Sequence, residues 1–281
     1  MPDEGLAGTL RRLREESGLT GTQAAKVAGI SQSRISRIEG GRFVPTDNEI
    51  RALCKLYRAP AQVRQDLLQA AKDLRGGTVT ARTVISRGSW KMQARFGRIE
   101  KMSAEVCVYQ PALIPGLLQT AAYARLVFAD GGDITDDELD KAVAERMSRG
   151  DVLASDRKFT FVVAEGALRW QAGSPQVMTA QLDQLAEVIA TRANVRLGII
   201  PQSRSARVFT THGFSLYDRR TVIVGVRTGT SFITDPQDVA EYGKLFGDLE
   251  ELAVYGQNAI TVIRQVMAEY RLIDEAGQAR P

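Results

Sequence analysis

The stretch SQSRISRIE at residues 31–39 places two isoleucines, Ile35 and Ile38, three positions apart among glutamine, serine and arginine. At helical spacing the isoleucines must face inward, which turns Gln32, Ser33, Ser36 and Arg37 outward and leaves Arg34 on the flank. Such an outward face has a definite chemistry. Glutamine and arginine carry paired donors or acceptors that match the edges of adenine and guanine, and serine and arginine, here Ser36 and Arg34 as well, reach phosphate oxygens. Only one acidic residue, Glu39, stands in the segment, near its end.

The rest of the chain offers little for other chemistries. His212 is the single imidazole, which removes any serine-histidine or cysteine-histidine site that lacks it. The lysines after residue 90 (Lys91, Lys101, Lys141, Lys158 and Lys244) stand in no recognisable nucleophile context, and VRTGTSF is too poor in features for a phosphate loop. Cys54 and Cys107 lie in apolar stretches and read as small core residues. With one histidine and two cysteines there is no zinc set and no disulfide framework. The sequence therefore predicts no enzyme, no metal and no cofactor. Its start, MPDEGLAGTLRRLREE, has no apolar signal run, and no stretch approaches the roughly 20 apolar residues that cross a bilayer, so a cytoplasmic protein without membrane contact is expected.

Charge singles out one end of the chain. Residues 1–75 hold 13 Lys and Arg against 9 Asp and Glu, whereas residues 76–281 hold 24 of each. A basic module on a neutral body suits a polyanion bound at one end.

The elements that position SQSRISRIE follow from periodicity and capping. Leu6, Leu10 and Leu13 predict a helix over 6–17 that ends at Gly18, with Arg11, Arg12, Arg14, Glu15 and Glu16 opposite. Thr20 and Gln23 form a capping box that opens a second helix over 21–28, whose Ala24, Ala25 and Ala28 let another helix approach closely. Gly29 supplies the turn and Ser31 caps the third helix. Thr46 and Glu49 form another box, opening a helix with Ile50, Leu53, Cys54 and Tyr57 inward, and residues 60–74 carry Val63, Leu67, Leu68 and Ala71 at the same spacing. Five helices thus close an all-α domain over residues 1–75.

This segment resembles the Cro and phage-repressor type of helix-turn-helix regulator over residues 6–58, carried by SQSRISRIE, the following GGR and the later NEIRALCKLY. The resemblance implies that Gln32, Ser33 and Arg37 touch base edges and that Arg42 holds the DNA backbone. Many members begin helix two with a glutamine that binds a phosphate, where this chain has Gly21. Either the backbone N–H makes that contact, or Thr22 and Gln23 replace it. The family glutamate falls on Glu39, which reads as a structural partner of a basic residue.

Residues 76–89, GGTVTARTVISRGS, read as a linker. Beyond it, helices are expected over 90–102, from Pro115 onward with Leu117, Leu118, Tyr123 and Leu126 as the buried stripe, over 135–150 as a charged helix capped by Thr135, over 175–192, 236–253 and 257–272. Strands are expected at 106–109, 159–165 (followed by a short helix), 195–200, 213–217, 221–227 and 230–234. This order gives an α+β domain over 90–273 with a small mixed or antiparallel sheet, then a disordered tail at 274–281. Trp90, Trp170, Tyr109, Tyr123, Phe161 and Phe214 read as core, with an apolar cavity as the other option. The domain resembles the poorly characterised C-terminal domain of actinobacterial repressor-type regulators, on PGLLQT with YAR at 115–125, AEGALRW at 164–170, QLDQLAEV, and VRLGIIP at 195–201.

The expected protein is multidomain: an all-α five-helix helix-turn-helix domain followed by an α+β domain. Its expected role is a sequence-specific transcriptional regulator bound to double-stranded DNA as a homodimer, because one helix reads only a few base pairs and two half-sites are needed. For the second domain the resemblance implies dimer formation or a small acidic protein partner. A small-molecule effector is the remaining candidate. The alternative role is an antitoxin-like protein that holds the acidic partner and regulates its own gene.

Overall fold

The computed structural model describes residues 5–74, 77–80, 89–130, 134–227 and 229–278. Helices α1 (Leu6–Glu16), α2 (Gly21–Ala28), α3 (Gln32–Glu39), α4 (Asp47–Leu56) and α5 (Ala61–Leu74) form the N-terminal part. Thr20 with Gln23 and Thr46 with Glu49 both close reciprocal capping boxes, and the Ser31 hydroxyl accepts from the Arg34 N–H. Gly29 ends α2 at φ 67°, the left-handed conformation that glycine adopts without a Cβ penalty. Leu10, Ala24, Ile35, Ile38, Ile50 and Leu53 are fully buried and make one apolar core.

The second part is built on a mixed sheet in which, among the described residues, seven strands run in the order β1 (Gly77–Thr80), β7 (Gly229–Ile233), β6 (Thr221–Val226), β5 (Phe214–Tyr217), β2 (Glu105–Gln110), β3 (Lys158–Ala164) and β4 (Val195–Ile200). β2, β3 and β4 pair in parallel and the other pairings are antiparallel. Parallel neighbours need long crossovers. Between β2 and β3 these are α7 (Ala121–Ala129) and α8 (Asp136–Gly150), and between β3 and β4 they are α9 (Glu165–Arg169) and α10 (Pro175–Thr191). Three more helices pack on the sheet: α6 (Ser89–Lys101), α11 (Pro236–Leu252) and α12 (Gly256–Gln278).

Strand alternation sorts the two faces. Val106, Val108, Phe159, Phe161 and Val163 face a core shared with α10 and α12, whereas Cys107, Tyr109, Val162 and Phe214 pack on the other side against Val239, Phe246 and Leu249 of α11. Both cysteines are buried and free.

Three expectations are corrected. Within the stretch read as linker, residues 77–80 form an edge strand antiparallel to β7, and residues 76 and 81–88 lie outside those described. The tail expected from 274 is helical to Gln278, because α12 runs on past its last buried residue, Tyr270. Pro115 opens only a single 3-10 turn, Gly116–Leu118, before α7, and this rotates Leu126 outward to 38% exposure. Trp170 is also surface, 73% exposed, while Tyr109, Tyr123, Phe161 and Phe214 are core.

The two parts meet at the hairpin between β5 and β6. Asp218 and Arg219 both adopt positive φ there, at 50° and 54°, and the Asp218 carboxylate accepts from the Ala104 and Glu105 N–H groups. The next residue, Arg220, donates through Nη2 to the Gly40 carbonyl at 3.0 Å, just beyond α3. A Cβ on Gly41 would fall 1.8 Å from the Arg220 guanidinium carbon, so a side chain there would displace that guanidinium, and the φ of 65° itself favours glycine. Met102, after α6, packs against the helical core.

Leu10 is wholly enclosed. Leu10→Ala is expected to lower stability by about 2–5 kcal/mol through lost burial and the cavity left behind, measured by urea unfolding.

Candidate nucleic-acid interface

Helix α3 presents the face expected of it. Ile35 and Ile38 are at most 1% exposed, and Gln32, Ser33, Ser36 and Arg37 are all exposed. The Arg37 Nε donates back to the Ser33 carbonyl at 3.3 Å, which lays the guanidinium along the surface of the helix. The Ser33 hydroxyl lies 3.2 Å from that of Ser31. Glu39 is largely withdrawn from solvent and neutralised by a partner. Both of its oxygens accept from the Arg14 Nε, at 2.8 and 2.9 Å, and the two side chains are 14% and 10% exposed. Arg14 also donates to the Leu19 carbonyl, so one guanidinium ties α1, the turn before α2 and the end of α3.

Arg34, expected on the DNA backbone, is committed elsewhere. Its Nε and Nη2 donate to the two Glu49 oxygens at 2.8 and 3.1 Å, and its guanidinium carbon sits 3.3 Å over the centre of the Phe43 ring. The pairing joins α3 to the capped start of α4, and it takes Arg34 out of the outward set. Thr22, Ser36 and Arg42 are exposed. Gln23 is exposed too, but its carbonyl oxygen accepts from the Thr20 N–H at 2.8 Å, which leaves only its NH₂ for another partner.

Gly21 opens α2 beside a groove of about 360 Å³ that Arg11, Gln32, Ser36, Gly40 and the Arg14–Glu39 pair also line. A Cβ there would meet nothing within 4 Å. Steric crowding therefore does not explain the glycine. At a helix start the first N–H groups lack intrahelical acceptors, and the partial positive charge favours an anion. The geometry sets Gln32, Ser33, Ser36 and Arg37 on one open surface with Thr22, Gln23 and Arg42 at its margins.

Elsewhere, His212 is half-buried, bonded through Nε2 to the Tyr242 hydroxyl at 2.9 Å. No group of histidine, cysteine or acidic residues fit to hold a metal occurs among the described residues, and no described helix is long and apolar enough to cross a membrane. The sequence reading missed a buried network. Arg146 and Arg149 of α8 lie inside the second domain with Gln93, Glu100 and Gln119. Their signal was the spacing Leu139, Ala142, Arg146, Arg149, which continues an inward stripe.

Residues 93–265 match the family described as Domain of unknown function (DUF5753), which is more than half of the chain. The chain belongs to the DUF5753 family. Ahead of the DUF5753 region, residues 6–67 match a family described as Helix-turn-helix domain, so the N-terminal module is a DNA-binding one. Curated proteins give no match. One solved structure, described as TrmBL2, an archaeal chromatin protein that shows a novel mode of DNA binding, is 12% identical over 84% of this chain and 87% of its own, with a TM-score of 0.33.

The Glu49 carboxyl is held below the ordinary glutamate range: burial pushes it up, and the hydrogen bonds from Arg34 and Thr46 outweigh that. A carboxylate depressed on folding contributes stability that is whole above about pH 5 and is lost as pH falls through the folded value. Glu49→Gln should therefore be less stable than the parent at neutral pH, and the gap should narrow as pH falls toward about 3, followed by the urea midpoint at each pH.

Proposed function

We propose that the chain is a sequence-specific transcriptional regulator of the Cro and phage-repressor type, of the actinobacterial kind, acting in the cytoplasm as a homodimer on a pseudopalindromic operator. The helix-turn-helix module spans residues 1–75, and the α+β domain over 90–273 supplies dimer contacts and the response to a partner or effector. The observation that carries this reading is the face of α3: Gln32, Ser33, Ser36 and Arg37 point out while the one acid of the helix is turned to Arg14. A merely solvated helix face would have no reason to sequester its acidic residue and leave the donors open.

In this reading Gln32, Ser33 and Arg37 enter the major groove, and Thr22, Gln23, Ser36 and Arg42 hold the phosphates on either side. The N-terminus of α2 supplies a further phosphate contact through the Gly21 and Thr22 N–H groups. One such helix covers too few base pairs for a unique site, so two copies on half-sites one helical turn apart, or a multiple of it, are required. The Arg220 contact at Gly40 joins the far end of α3 to the second domain, which is how a response there reaches the DNA. No catalytic role is assigned.

Selection from random duplexes at moderate salt should return a two-fold symmetric site. On that site Arg37→Ala is expected to cost about 1–3 kcal/mol and to relax preference at one base position. Arg42→Ala should instead weaken all sequences alike and reduce the slope of log affinity against log salt by about one. Fluorescence anisotropy over a salt series measures both, and an unchanged Arg37→Ala titration would remove the base-reading role.

A further inference from the structure

The second domain contains a cavity of about 430 Å³, within the range of small-molecule sites. Three arginines line it, Arg146, Arg149 and Arg227, and among the described residues no acidic one does, though the exposed Arg227 donates to Asp130 at 3.2 Å. The remaining wall is largely apolar, with Leu113, Ile114, Val127, Phe214, Ile223 and Val226. Ser215, Thr230 and Gln110 add neutral polar groups. Apolar surface of this kind next to a cluster of cations is matched by a molecule with an apolar body and a negative end.

The described residues balance the buried charge of Arg146 and Arg149 only in part. Arg149 takes both oxygens of Glu100, through Nε at 2.9 Å and through Nη2, and both side chains are buried. Burial works against the Arg149 charge, but Glu100 outweighs it and raises the guanidinium above its ordinary range. Arg146 is only 9% exposed and has neutral partners alone: Nε donates to Gln93 Oε1 at 2.9 Å, Nη1 donates to Gln119 Oε1, and the Phe128 ring lies 4.7 Å from its guanidinium carbon. Burial, and then repulsion from Arg149, push it down to about 9, so it still carries its charge at neutral pH.

Two enclosed cations thus share one anion. A charge enclosed without a counter-ion is costly, yet the fold is shaped to keep it. A Cβ on Gly116 would lie 3.0 Å from Arg146 Nη1, and one on Gly97 would lie 3.1 Å from Arg149 Cγ, so a side chain at either position would crowd the arginine it faces. Gln119 also donates to the Ile114 carbonyl at 2.8 Å, which fixes the oxygen that Arg146 uses.

We propose that this cavity binds a small organic carboxylate, its carboxylate group on Arg146 and its apolar body against Ile114, Val127 and Ile223. The arrangement also gives the ligand a path outward. Tyr217 lines this cavity and also the groove between the domains, where Gly41, Phe43 and Arg220 stand, and Arg220 follows it by three residues. A ligand that shifts Tyr217 therefore acts on the hairpin that holds the end of α3. This last link rests on the regulator reading; binding in the cavity does not.

The test uses the full chain without DNA, so its failure is distinct from failure of DNA recognition. Hexanoate, benzoate and indole-3-acetate are compared with hexanamide, benzamide and indole-3-acetamide by thermal shift and calorimetry. At least one carboxylate is expected to raise Tm by about 3–5 °C at ten times its Kd, with its amide giving much less. Arg146→Met should abolish that difference and Arg146→Lys should keep part of it. Gly225→Leu, at a position on the cavity wall where a Cβ meets nothing within 4 Å, should block binding without disturbing the fold. No shift with any carboxylate, equal shifts for acid and amide, or a carboxylate shift that survives in both Arg146→Met and Gly225→Leu would overturn the proposal.

Discussion

Burial of Ile35 and Ile38 fixes the rotation of α3 about its own axis, and the rest of the candidate interface follows from that one constraint. Each side chain contributes on the order of 1.5–3 kcal/mol by leaving water. Turning the helix by one residue would expose both and bury polar groups such as Ser36 or Arg37 in their place, which is unfavourable on both counts. Arg14 and Arg34 then act at the two ends of the helix. One holds Glu39 against α1, and the other holds the start of α3 against Glu49 of α4. Two arginines thus fix the alignment of the outward residues of α3.

A second constraint joins this module to the α+β body. The hairpin after β5 needs two successive residues at positive φ, and Asp218 stabilises the bend by accepting from backbone N–H groups at the start of β2. That geometry projects Arg220 toward the Gly40–Gly41 turn. The contact involves a backbone carbonyl and a missing side chain, so it depends little on the side chains that α3 itself carries. Sequence changes on the outward face of α3 therefore leave the junction undisturbed.

Much of this was legible from the chain alone, because local signals dominated. The Thr20, Thr46 and Thr135 caps each had a glutamine or glutamate three residues on, and all three boxes formed. Strands at 195–200 and 221–226 were short apolar runs between turns. Sheet order was not legible, since seating β5 between β2 and β6 while β4 takes the edge depends on contacts far apart in sequence. The strand GTVT was missed because four residues beside glycines carry no period. The inward arginines of α8 were hidden for another reason: charge argues for solvent, and only the heptad-like spacing from Leu139 argued against it. Arg34 stood on the flank in the sequence pattern, where nothing indicated that Glu49 would claim it.

The edge strand β1 has a mechanical meaning. Leu74 ends α5 and Gly77 already pairs with Phe232 of β7, so three Cα steps, at most about 11 Å, separate the last helix of the DNA-binding module from a hydrogen-bonded sheet. A leash that short, with the Arg220 clasp on the same groove as Leu74, leaves little slack for independent swivelling. If two copies assemble through their larger domains, the spacing of their reading heads is set by the body, as the gauge of a track is set by its sleepers. Inserting or deleting single base pairs between half-sites would then be poorly tolerated, unlike in proteins whose reading heads hang on long flexible tethers.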